Sequence, residues 1–264
     1  MSRNVRAILI TGDQPDAPGT PTPGAEDALD VIEGDLEARF QDAEVEIVRL
    51  GGSPTNRDVA SALAGMTQIV SRVELLVVMF AGHGKEADDW PLAQAWYLSE
   101  RERFTDIELA SALLRFPDGV DTVVISACCY GEGFFRAGEQ VPPGRTALSF
   151  GEGGSHTLRS PMLSQQMQAR KLQSQSKILG SRIALGWDNA HKDSPMVCIS
   201  AAGKDDAVNL AELMRLSGET TAAARDQRSY AELDCVFADI AAAGRRFHVD
   251  TRPPARVNDR VLST

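Results

Sequence analysis

The run Leu75-Leu76-Val77-Val78-Met79-Phe80 carries no polar side chain at any position. A strand with one face in water alternates apolar and polar residues, so a strand this uniform must be covered on both faces. A parallel sheet sandwiched between helices provides that cover. Val5 to Thr11, a short apolar run ended by Gly12, and Val45 to Leu50, Thr122 to Ala127 and Met196 to Ala201 are read as further strands.

Helices fall between these runs. Ala25, Leu29, Ile32, Leu36 and Phe40 recur every three or four positions and predict a helix over 25–40 with one buried stripe. Thr55 with Asp58 forms a capping box for a helix to about Ser71, and Thr105 with Glu108 forms another for a helix to about Phe116. Two amphipathic helices are predicted over 205–216 and 229–243, the second burying Tyr230, Leu233, Val236, Phe237 and Ile240. Gly12 to Gly24 holds four prolines and reads as a loop, and Trp96-Tyr97-Leu98 as a short strand. Residues 131–194 form a long irregular stretch with one helix from Pro161 to about Lys177, opened by Ser160. The tail after Arg246 has two adjacent prolines and no clear period. The expected fold class is therefore α/β, a three-layer α/β/α sandwich with a mostly parallel central sheet.

At 264 residues with 43% apolar content, the chain suits one domain over 1–264. It divides into 1–130, an insertion at 131–194, and 195–264. A net charge of −10 repels phosphate backbones, so nucleic acid is not an expected partner. No run of 18 apolar residues predicts a membrane span, and the N-terminus lacks a signal-peptide pattern, so a cytoplasmic location is expected. Four cysteines, two of them adjacent, are too few for a disulfide scaffold, and no Cys-x-x-Cys pair suggests a structural zinc site. No metal and no cofactor is expected.

The chemistry gathers at two strand ends. The third strand runs into Ala81-Gly82-His83-Gly84 and the fourth into Ser126-Ala127-Cys128-Cys129-Tyr130-Gly131. If these strands are parallel neighbours, His83 and Cys128 emerge on one edge of the sheet, where ligand sites of such folds lie. An imidazole beside a thiol can take its proton and raise the thiolate fraction. The amides of Gly84 and Cys128 could then donate to a developing oxyanion. Taken singly, Gly-His-Gly is an ordinary turn and a strand-end Cys a small buried hydrophobe. The ordered pair, 45 residues apart, is more specific, because caspase-type peptidases place the His about 50 residues before the Cys.

These segments resemble the two active-site strands of the caspase–metacaspase group: an apolar strand, a small residue and Gly-His-Gly, then an apolar strand and Asp-x-Cys-x-x-Gly. On that pattern Cys128 takes the nucleophile position, Gly131 the trailing glycine and Cys129 a variable position. Ile199-Ser200-Ala201-Ala202-Gly203-Lys204-Asp205-Asp206 is similar to the strand and turn that open the metacaspase small-subunit segment. The resemblance implies a cysteine endopeptidase acting on protein or peptide substrates, with an activating protease or regulatory protein as a further partner. Metacaspases carry Asp two residues before the nucleophile, lining a pocket for Arg or Lys. This chain has Ser126 there, as in the Ser-Ala-Cys form of legumain-like peptidases, which leaves a different preference open. Asp205 or Asp206 could supply the pocket carboxylate, or serve only as a helix cap.

In the family the link between large and small segments is cut on activation. Arg136, Arg145, Arg159, Arg170, Lys171, Lys177 and Arg182 in the insertion are the corresponding processing candidates, and otherwise surface charges. His156, His191 and His248 read as surface residues, and Trp90, Trp96 and Trp187 as packing residues. Glu86, Asp88 and Asp89 lack EF-hand spacing. The composition is of a prokaryotic kind, and stand-alone prokaryotic relatives resemble components of stress or antiviral defence. Two other classes remain open: a non-catalytic caspase-like module that recruits partners, and a flavodoxin-like domain whose Gly-His-Gly contacts a phosphate. Acidic charge and the lack of a Gly-rich strand-to-helix loop weigh against the latter.

Overall fold

The computed structural model describes residues 4–68, 74–86, 94–99, 102–113, 115–116, 119–128, 196–200, 210–241, 248–252 and 258–262. Its strands are β1 (Asn4–Thr11), β2 (Asp13–Gln14), β3 (Ala17–Pro21), β4 (Glu44–Leu50), β5 (Leu75–Ala81), β6 (His83–Glu86), β7 (Gln94–Ser99), β8 (Glu102–Thr105), β9 (Asp121–Ala127), β10 (Met196–Ser200) and β11 (His248–Arg252). Its helices are α1 (Ala25–Arg39), α2 (Asn56–Gln68), α3 (Asp106–Leu113), α4 (Leu210–Arg225) and α5 (Tyr230–Ala241).

Strand β5 is buried at all seven positions and sits inside the main sheet, whose order is β11-β10-β9-β5-β1-β4. Five of these strands run parallel, and β11 closes one edge antiparallel to β10. Alternation along the strands divides the core. Val77, Met79, Ile125 and Leu9 face α1, α4 and α5, whereas Val78, Phe80, Val124 and Ile8 face α2 and α3. Each large side chain buried this way contributes about 1.5–3 kcal/mol. The expected α/β fold with a mostly parallel sheet between helical layers is the one observed.

The helix signals act as read. All five residues of the α1 stripe are buried. The Asp58 carboxylate accepts from the Thr55 amide at 2.8 Å, and the Asp58 amide donates to Thr55 Oγ1 at 3.2 Å. Glu108 and Thr105 repeat the exchange at 2.8 and 3.2 Å, opening α3.

Four expectations are corrected. The proline-rich stretch after β1 is a hairpin, β2–β3, turning at Pro15-Asp16; Pro15 lies at the turn, Pro18 and Pro21 in the short edge strand β3, and Pro23 between β3 and α1. Gly-His-Gly is no loop: His83 begins β6, which pairs with β7, and β7 with β8, in a second, three-stranded sheet. The helix predicted to stop at Leu216 continues to Arg225 because α4 packs along α1, and Thr220 returns its hydroxyl to the Leu216 carbonyl at 2.7 Å. The tail contributes the edge strand β11, whose Val249 is buried. No helix among the described residues is long and apolar enough to cross a membrane.

Candidate active site

Four backbone segments meet where β1 and β5 end. The Gly12 amide donates to the Ala81 carbonyl at 3.1 Å, and the Gly82 amide donates to the Ala127 carbonyl at 3.2 Å. A Cβ on Gly12 would lie 2.2 Å from the Tyr97 carbonyl oxygen; one on Gly82 would lie 2.8 Å from the Phe80 ring and 3.1 Å from the Gly12 nitrogen. Glycine is therefore the residue these two sites can hold. Because β5 and β9 are parallel neighbours with Ala81 opposite Ala127, His83 and Cys128 leave the same sheet edge from adjacent strands. Such strands lie about 4.8 Å apart.

His83 stands opposite Tyr97 in the β6–β7 ladder and is half-buried. Burial holds its imidazole below the ordinary histidine range, and the nearby carboxylate of Asp16 acts in the opposite direction. The net direction favours the neutral ring, the form that can accept a proton. Asp16 is exposed at the tip of the β2–β3 hairpin. The hairpin is tied down at its base. Buried Asp13 accepts from the Gly19 amide at 2.8 Å and from Ser53 Oγ at 2.6 Å, and Thr22 Oγ1 donates to the Gly12 carbonyl at 3.0 Å. β2 also packs on β7, the strand paired with the one that bears His83.

Cys128 is 1% exposed and belongs to the core on the α2–α3 side, with Phe80, Val124 and Trp96. The small sheet lies on that same side, since Trp96, Leu98 and Phe104 are in that core. Ser126, two residues earlier on the same face, is fully buried. Its Oγ lies 3.2 Å from Cys128 Sγ and accepts from Trp96 Nε1 at 3.0 Å. Trp96 is stacked between Phe80 and Phe104, with ring centroids 5.0 and 6.1 Å away.

Of the expected site residues, the structure brings His83, Gly84, Ser126 and Cys128 to one region. Gly84 is half-buried opposite Trp96. The Ser126 hydroxyl faces Trp96 and Cys128 and has no solvent exposure. Cys129, Gly131, Asp205 and Asp206 lie outside the described residues, as do Arg136, Arg145, Arg159, Arg170, Lys171, Lys177, Arg182, His156 and His191. His248 opens β11 opposite Ser200. Among the described residues no three His, Cys, Asp or Glu side chains gather as a metal site. The sequence reading passed over two residues. Asp16 had only a Pro-Asp turn signal, and Trp96 was read simply as packing.

No family model matches the chain, and no curated protein matches it by sequence. Among solved structures, protein GSU0716 from Geobacter sulfurreducens is 14% identical, with 99% of each chain covered and a TM-score of 0.55. The Drosophila initiator caspase Dronc is 10% identical, with 97% of this chain and 81% of that chain covered and a TM-score of 0.47. At 14% identity the first likeness is one of fold alone. The chain is thus a three-layer α/β protein with a histidine and a cysteine at neighbouring strand ends.

Proposed function

We propose that the chain is a caspase-like cysteine endopeptidase with His83 as general base and Cys128 as nucleophile. The observation that carries this reading is the parallel pairing of β5 with β9, which sends Gly-His-Gly and Ser-Ala-Cys off one sheet edge. His83 takes the thiol proton, and Cys128 Sγ adds to the scissile carbonyl carbon. The C–N bond breaks as His83 returns that proton to the leaving amine. Water, deprotonated by His83, then hydrolyses the thioester and restores the thiol. The amides of Gly84 and Cys128 hold the oxyanion. The depressed proton affinity of His83 supports its role as base near neutral pH.

The preferred cleavage follows Arg or Lys. Asp205 or Asp206 reads the basic side chain, and Asp16 adds a carboxylate on the His83 side. The stretch 131–194 is an activation loop cut after a basic residue.

Hydrolysis of an Arg- and Lys-containing peptide library tests the reading. Cys128→Ala and His83→Ala each lower turnover by about 10³-fold or more, within the range that removing acid–base or nucleophilic groups produces. Full cleavage by Cys128→Ala overturns the assignment.

Burial of the Cys128 sulfur favours a second reading, a non-catalytic module of the same fold that recruits partners. A thiol-reactive peptide electrophile separates the two: it labels Cys128 of the peptidase and spares that of the module.

A further inference from the structure

Trp96, Ser126 and Cys128 form a buried chain of polar atoms beside the apolar residues of the α2–α3 core. Indole Nε1–H only donates, so Ser126 Oγ is its acceptor. The hydroxyl then faces the sulfur with one hydrogen and one remaining lone pair. While the sulfur is a thiol, either atom can donate across the 3.2 Å contact. Once it is a thiolate it can only accept, and the Ser126 hydrogen must point at it. We propose that Ser126, held by Trp96, is a positioning residue that donates to the Cys128 sulfur and favours its thiolate form.

The proposal rests on the reading of Cys128 as nucleophile. Three features support it. Trp96 and Ser126 are 0% exposed and Cys128 1%, so water competes little for these bonds. A hydrogen bond to a charged acceptor is about twice as strong as a neutral one. Stacking between Phe80 and Phe104 fixes the indole independently of Ser126, so the N–H stays aimed at Oγ while the hydroxyl hydrogen swings to the sulfur. The small sheet thus serves both members of the pair. His83 opens β6, and one cross-strand position further along the ladder Trp96 on β7 reaches the support of Cys128. The ionisable residues on the small sheet are His83, Lys85 and Glu86 on β6, Tyr97 on β7, and Glu102 and Arg103 on β8, and buried Ser200 stands opposite Ser126 on β10.

The test is the rate of iodoacetamide alkylation of Cys128 against pH in the full chain, resolved from Cys129 by fragment ions. Ser126→Ala lowers the rate at pH 7 about tenfold and moves the midpoint of the profile upward by about one pH unit, the equivalent of one unit of acidity. Ser126→Thr, which keeps the hydroxyl, restores the wild-type profile. Trp96→Phe, which keeps a stacked ring without the N–H, moves the midpoint the same way by less. Unchanged or faster alkylation in a Ser126→Ala protein with wild-type circular dichroism overturns the proposal. If that variant does not fold, Trp96→Phe decides by the same midpoint. Alkylation needs no substrate, so this proposal and the peptidase reading can fail separately: peptide hydrolysis by Cys128→Ala overturns only the latter.

Discussion

The carboxylate of Asp16 raises the proton affinity of His83 while burial lowers it, and burial is the larger influence. The imidazole therefore gives up its proton below the ordinary histidine value of about 6.5. In the proposed peptidase His83 is the general base and must be unprotonated, so the acidic limb of the kcat/KM profile is expected to have its midpoint below pH 6.5. In Asp16→Asn the opposing charge is gone, and that limb moves to still lower pH. A limb that moves upward, or does not move, would contradict the assigned influence of Asp16.

The same group links pH to stability. The unfolded chain binds a proton at His83 more readily than the folded chain does, so folding stability falls as pH drops through 6.5 toward the depressed folded value. It is fully retained above that window. Urea unfolding at pH 7.5 and pH 5 should show a smaller pH difference in His83→Gln than in wild type.

Gly12 and Gly82 differ in what a methyl group would strike. At Gly12 the obstacle is the Tyr97 carbonyl at 2.2 Å, a backbone atom of the small sheet; at Gly82 the nearest is the Phe80 ring at 2.8 Å, a side chain with some freedom to move. Both alanine variants lose stability by about 1–3 kcal/mol, the usual range for overpacking, and Gly12→Ala loses more. Denaturant melts check the order, and peptide turnover should fall in the same order because His83 is displaced with its strand.

Asp13 is buried and anchors the hairpin through Gly19 and Ser53. Asp13→Ala leaves the donor groups without that acceptor, at about 1–3 kcal/mol. It also loosens the tip, so its pH–rate profile shifts in the direction of Asp16→Asn. A destabilised variant with the wild-type profile would show that Asp16 is placed by something other than this anchor.

Incubation of the wild-type chain should yield new N-termini after basic residues within 131–194, and Cys128→Ala should remain intact. N-terminal mapping by mass spectrometry decides. An intact wild type that still cleaves peptides would remove self-processing from the scheme.

The main sheet was legible because β5 and its neighbours are apolar on both faces, a pattern few other arrangements accommodate. The α2 and α3 starts were legible because a capping box is local chemistry. What escaped depends on distant partners. His83–Glu86 becomes a strand because Gln94–Ser99 lies alongside it, and no local pattern announces that pairing. The helix predicted to end at Leu216 runs on through Ser217, which is fully buried as α4 continues along α1. β11 is the run His248-Val249-Asp250-Thr251-Arg252, whose single apolar residue is too little for a period. The Trp96–Ser126 bond joins residues 30 apart in sequence and had no local signal at all.

The hydrogen bond from Gly82 to Ala127 fastens the backbone just before His83 to the backbone just before Cys128. A central sheet is among the stiffest parts of a protein, with its rungs among the last to open. The spacing of the two strand ends that carry His83 and Cys128 is thereby set in the scaffold, out of reach of surface rearrangement. Any on–off control of such a pair has to work by covering and uncovering it, or by turning its side chains, while the distance between their anchoring strands stays constant.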